Sequence, residues 1–112
     1  MSRHRAKGTA WESALVTYLN ERGWPHAERR ALNGNQDKGD IAGIVGWVIE
    51  AKNARGITLA AWVKELEAEV RNAHAHGGAL WIKRPGKSSP ADGYVVLDGT
   101  TFTRLLREAG YQ

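Results

Sequence analysis

The chain has 112 residues, enough for one domain with a single modest core. Its 42% apolar and 25% charged residues are those of a folded globular protein, and 16 Lys and Arg against 12 Asp and Glu leave a charge of +4 that suits a polyanionic partner without requiring one. Without cysteine it has neither disulfides nor thiolate metal sites, and no apolar run approaches membrane-spanning length, so a soluble cytoplasmic protein is expected.

Residues 1–7 carry Arg3, His4, Arg5 and Lys7 with no apolar periodicity, which reads as a flexible basic arm ahead of a single domain over 8–112. A first helix is expected from Thr9, as N-cap, to about Arg22. Trp11, Leu15, Tyr18 and Leu19 recur at helical spacing, and Gly23 is a natural stop. Glu12 stands at capping-box distance from Thr9, yet it also lies at the edge of the core-facing stripe, where a free carboxylate is unusual. Both readings of Glu12 stay open at this point.

Trp24 to Leu32 reads as a first strand, and Asn33 to Gly39 as a loop in which Asp37 shapes a turn. Asp40 to Lys52 reads as a hairpin turning at Gly46. Strand alternation puts Val48, Glu50 and Lys52 on one face and Trp47, Ile49 and Ala51 on the other. A carboxylate and an amine at the end of an apolar strand are costly without partners; Asp40 on the neighbouring strand, with a divalent cation between Asp40 and Glu50, would supply them. The plainer alternative for Glu50 and Lys52 is a surface ion pair.

A second helix is expected from Thr58 to about His76, with Leu59, Trp62, Val63, Leu66, Val70 and Ala73 inward. Lys64, Glu65, Glu67 and Arg71 would form a solvated face, with Glu67 and Arg71 paired. Strands over Ala79–Lys83 and Tyr94–Leu97 and a helix over Thr100–Ala109 complete the order αβββαββα. The Gly86-Lys87-Ser88 in the last long loop is no phosphate-binding loop, because Trp81 stands where the first glycine belongs and no helix follows; no nucleotide cofactor is expected. The helical crossover implies an α/β fold with a mixed sheet of about five strands.

Glu12 on the first helix, Asp40, and Glu50-Ala51-Lys52 together resemble the PD-(D/E)XK nuclease superfamily. Lys7-Gly8-Thr9 before Trp11-Glu12, and the Lys38-Gly39-Asp40 turn, are most similar to archaeal-type and phage Holliday junction resolvases. The resemblance spans nearly the whole chain. It departs from the pattern at Gly39, where the naming proline would stand, and in the absence of a glutamine from the second helix. It implies a restriction-endonuclease-like sheet with flanking helices and a catalytic set of Glu12, Asp40, Glu50 and Lys52.

Phosphodiester hydrolysis needs an activated water and countercharge for the developing negative charge. Asp40, Glu50 and the Ala51 backbone carbonyl would offer oxygen ligands to Mg2+, with Mn2+ able to substitute. Glu12 would add a ligand, and Lys52 would orient the water or stabilise charge. Arg3, Arg5, Lys7, Arg29, Arg30, Lys38, Arg55, Lys83, Arg84 and Lys87 are the candidate DNA-backbone contacts. A four-way junction has two equivalent strands to cut, which suits a two-fold homodimer. The expectation is a Mg2+-dependent, structure-selective DNA endonuclease. The alternatives are a nuclease of the same fold acting on ends, nicks or restriction-type sites, and a non-catalytic DNA-binding module.

Overall fold

A computed structural model describes residues 3–31 and 36–112; side chains are described from residue 7 onward. Leu32 and Asn33 to Asn35, expected to end the first strand and open the loop, lie outside the described residues, as do the side chains of Arg3 and Arg5.

The elements run α1 (Arg3–Glu21), β1 (Glu28–Arg29), β2 (Ile41–Ala42), β3 (Trp47–Lys52), α2 (Leu59–Asn72), β4 (Gly77–Ile82), a 3-10 turn (Pro90–Asp92), β5 (Tyr94–Val96) and α3 (Gly99–Glu108). The five strands form one mixed sheet in sequence order. β3 and β4 are parallel, and every other neighbouring pair is antiparallel. The parallel pair is the one that α2 connects, since adjacent parallel strands require a long crossover.

Alternation along β3 divides the core in two. Ile49 joins Trp11, Leu15, Leu19, Ala27 and Ile41 beneath α1, with Trp47 and Ala51 packed against them. Val48 joins Leu66, Leu80 and Ile82 beneath α2. The sheet is thus covered by α1 on one face and α2 on the other, and Glu50 and Lys52 belong to the α2 face. Trp11 and Trp81 tie the first layer together. The Trp11 indole donates to the Trp81 carbonyl at 3.0 Å, and the Tyr18 ring meets Trp81 edge-on at 5.7 Å. Trp24 alone of the five tryptophans is largely exposed, at 46%.

Four sequence expectations are corrected. α1 begins at Arg3, so Arg3 to Lys7 form its first turns rather than an arm and Thr9 is an interior residue, not the cap. Arg, Ala and Lys favour helix, and Gly8 alone does not stop it. β1 is two residues, not nine, because the backbone before it closes α1 instead: Trp24 donates its amide to Leu19, and the Asn20 side chain takes the Trp24 and Ala27 carbonyls. Thr58 does precede α2, but its side chain makes no capping hydrogen bond. Among the described residues there is no Glu67–Arg71 ion pair.

Candidate functional site

The site begins with the turn before β2. Gly39 has φ +95°, and a Cβ there would stand 2.7 Å from Val48 Cγ1, so only glycine lets this loop lie against β3. Its amide donates to Asp37 Oδ1 at 2.9 Å, the turn role that its composition suggested. Asp40, next in the chain, is fixed from three sides. Its amide donates to the Ile49 carbonyl at 2.9 Å, its carbonyl accepts from Arg30 at 2.8 Å, and its Oδ2 accepts the Ala51 amide at 2.7 Å. Asp40 therefore stands at the edge of β3 beside Glu50, and Ala51 meets it through its N–H.

β3 delivers Glu50 and Lys52 to the same face. Glu50 is 4% exposed, and the Lys52 ammonium lies 3.3 Å from its Oε2. The second carboxylate on that ammonium comes from α2: Lys52 Nζ is 3.1 and 3.3 Å from the two oxygens of Glu65 and stands over the Trp62 ring. One turn further along α2, Glu69 is 1% exposed. The loop carbonyl of Asp37 accepts from the Asn72 side chain at 2.9 Å, which fastens the Asp37 turn to the end of α2. Asp37, Glu50, Glu65 and Glu69 consequently bring four carboxylate oxygens within 4.8 Å of one another, a group that can hold a metal ion.

The electrostatics follow from that crowding. Burial, then the neighbouring Glu65 and Asp40 carboxyls, push the Glu50 carboxyl up to about 12. Burial and then Asp37 push Glu69 up to about 8. Glu65 is held below its ordinary value by a hydrogen bond from Glu50 and by Lys52. Burial alone would lower the Lys52 ammonium, but Glu50 and Glu65 keep it above its ordinary value. Glu50 Oε1 and both Glu69 oxygens are buried without a hydrogen-bond partner. Buried carboxylates in this condition hold protons or a cation.

Glu12 reaches the site from the α1 side but does not join the four carboxylates. Its Oε1 pairs with Arg29 Nε at 3.2 Å. Burial and the nearby Asp40 charge raise its carboxyl, and Arg29 opposes them. Glu12, Asp37, Asp40, Arg29, Arg30 and Lys38 line one groove of about 650 Å3. A second groove of about 590 Å3, on the other flank of the start of α1, is lined by Lys7, Arg55 and Lys83 with Trp11 and Asn53. Arg84 stacks over Tyr94, and Arg84 and Lys87 lie exposed in the turn after β4.

Of the residues singled out in the sequence, Asp40, Glu50 and Lys52 converge, Glu12 borders them, and the basic candidates whose side chains are described divide between the two grooves and the β4 turn. Sequence reasoning missed Glu65 and Glu69, placing Glu65 on a solvated face. The signal was present for Glu69: it stands seven residues after Trp62, three after Leu66 and four before Ala73, within the buried stripe. Among the described residues, no helix is long and apolar enough to cross a membrane. Comparison with known protein families, characterised proteins and solved structures gives no match.

Proposed function

We propose that this chain is a Mg2+-dependent, structure-selective DNA endonuclease of the PD-(D/E)XK kind, with the four-way junction as its substrate. The observation that carries the reading is the convergence of Asp40, Glu50 and Lys52 at one end of β3, beside a groove with Arg29, Arg30 and Lys38 on its wall. A fixed ammonium among carboxylates is a useful device for phosphodiester hydrolysis and an expensive one for a purely structural sheet. The donor set is all oxygen, which suits a hard cation, and the unpartnered Glu50 Oε1 fits such a ligand.

Asp40, Glu50 and the Ala51 carbonyl would hold the ion, with Glu12 close enough to Asp40 to sense its charge. When bound, Mg2+ lowers the pKa of a coordinated water and offsets charge on the phosphate. The chain's own residues do the rest. Glu65 and Glu50 fix the Lys52 ammonium, which stays charged and stabilises negative charge developing on the phosphate. Arg30 and Lys38 hold the backbone in the groove. A homodimer would set two such sites against the two equivalent strands. Exposed Trp24, Val95 and Phe102 supply apolar area for the contact.

The test is incubation of purified protein with four-way junction, nicked, flap and linear duplex DNA, with Mg2+ or with EDTA. Paired symmetric cuts confined to the junction are expected. Cutting of every substrate would replace the resolvase reading with a more general nuclease, and binding without cutting in Mg2+ or Mn2+ would leave a DNA-binding module.

A further inference from the structure

The proposed Mg2+ ligands leave three acidic groups unexplained. Asp37, Glu65 and Glu69 converge with Glu50, supplied by a loop and two positions of α2. Surface carboxylates gather often without consequence, but Glu69 is not at the surface. It is 1% exposed, and neither of its oxygens meets a donor. Glu50 Oε1 is orphaned in the same way. Among the described residues the ammonium at this cluster, that of Lys52, reaches Glu50 and Glu65 and forms no ion pair with Asp37 or Glu69.

We propose that Asp37, Glu65 and Glu69, together with Glu50, form a second divalent-cation site built on α2. Oxygen-only donors select hard ions such as Mg2+, Mn2+ or Ca2+ over soft ones. The spacing agrees. Opposite ligands of Ca2+ stand about 5 Å apart and those of Mg2+ about 4 Å apart, against four oxygens within 4.8 Å. Lys52 remains the partner of Glu65 at the rim, so the ion and the ammonium divide the charge between them. Glu50 would then serve both ions, and the second would supply further countercharge to a bound phosphate. That last step, and the count of two, rest on the nuclease reading; the α2 site does not.

The measurement is Mn2+ binding to the full chain at neutral pH without DNA, by calorimetry and equilibrium dialysis, for the native protein, Glu69→Gln, Glu65→Gln and Asp40→Asn. Glutamine keeps the shape and removes the charge, and circular dichroism in EDTA checks each fold. Two ions are expected for the native chain, with one lost or weakened at least tenfold in Glu69→Gln and in Glu65→Gln but retained in Asp40→Asn. The proposal is overturned if the native chain binds no Mn2+, or if both glutamine variants bind it with native stoichiometry and affinity. A single ion that disappears in Glu69→Gln and persists in Asp40→Asn upholds the α2 site and removes the Asp40 ion on which hydrolysis was proposed to depend. Should Glu69→Gln fail to fold, Glu65→Gln, whose carboxylate is partly exposed, decides the matter alone.

Discussion

Lys52 and Glu65, thirteen residues apart on β3 and α2, pair at 3.1 Å, and Glu50 completes the grip on the ammonium from 3.3 Å. Held by two carboxylates and covered by the Trp62 ring, Lys52 has little freedom and is charged throughout the physiological range. Its replacement by methionine keeps the stem and deletes the charge. On the proposed chemistry Lys52→Met lowers the single-turnover cleavage rate by about a hundredfold to a thousandfold. Metal binding is not weakened, because removing a cation leaves the carboxylates more attractive to one. Cleavage assays paired with Mn2+ titration check both halves; loss of metal affinity along with activity would show that Lys52 serves the site's architecture instead.

Asp40 offers a cleaner separation of binding from cutting. Its Oδ2 accepts the Ala51 amide, and an asparagine oxygen can do the same, so Asp40→Asn keeps the turn while removing the charge. The variant is expected to bind junction DNA as the native protein does and to cut it at least about a hundredfold more slowly. Gel-shift and cleavage measurements on one preparation test this, and normal cutting would overturn the assignment.

The turn into β3 makes a prediction about folding rather than chemistry. Gly43 has φ +91°, and a Cβ there would stand 1.9 Å from the His26 carbonyl oxygen, so an alanine meets backbone that cannot step aside. Gly43→Ala should cost about 2 kcal/mol or more, from strain and the displaced β1–β2 pairing. Urea unfolding measures it; a change below half that size would mean that the turn relaxes freely.

Binding to DNA should divide the basic residues into unequal groups. Arg30 and Lys38 line the groove beside Asp40 and form no ion pair among the described residues, whereas Arg29 is engaged with Glu12. Arg30→Ala and Lys38→Ala should each weaken binding across all sequences and reduce the logarithmic salt slope by about 1. Arg29→Ala should have a smaller effect on the slope, since its charge is already partly offset. Fluorescence anisotropy over a salt series distinguishes these outcomes; equal slopes for all three would put the DNA elsewhere.

What the sequence made legible was periodic or local. The two faces of β3, the parallel crossover through α2 and the Gly39–Asp40 turn all follow from alternation, element order and turn chemistry, and the structure has them. The ends of elements were less legible, because the backbone between Leu19 and Ala27 serves α1 through contacts that depend on Asn20 and on the chain's return path. In the site, residues joined by one strand were found and those on α2 were not. Glu65 and Glu69 become functional candidates only when the crossover sets that helix over Glu50, a relation between elements 15 or more residues apart. A carboxylate such as Glu69 inside an apolar stripe is the one local sign of it.

The acidic cluster also fixes how stability should depend on pH. Glu69 titrates near 4.5 in an ordinary setting and near 8 in the fold, and Glu50 is raised still further. Between those values the folded chain holds protons that the unfolded chain has released. In EDTA, stability is therefore greatest at or below about pH 4.5 as far as these groups decide it, and falls as pH rises toward 8, by up to about 1.4 kcal/mol per unit for each carboxyl kept protonated. A divalent cation reverses the sign. It binds the deprotonated cluster, so Mn2+ or Ca2+ should stabilise the chain little at pH 5 and progressively more from pH 6 to 8. Thermal melts across that range, with and without metal, check the crossing. A melting temperature that rises with pH in EDTA and ignores added metal would show that Glu50 and Glu69 are neutralised by some other means, and the cation chemistry built on them would fall with that result.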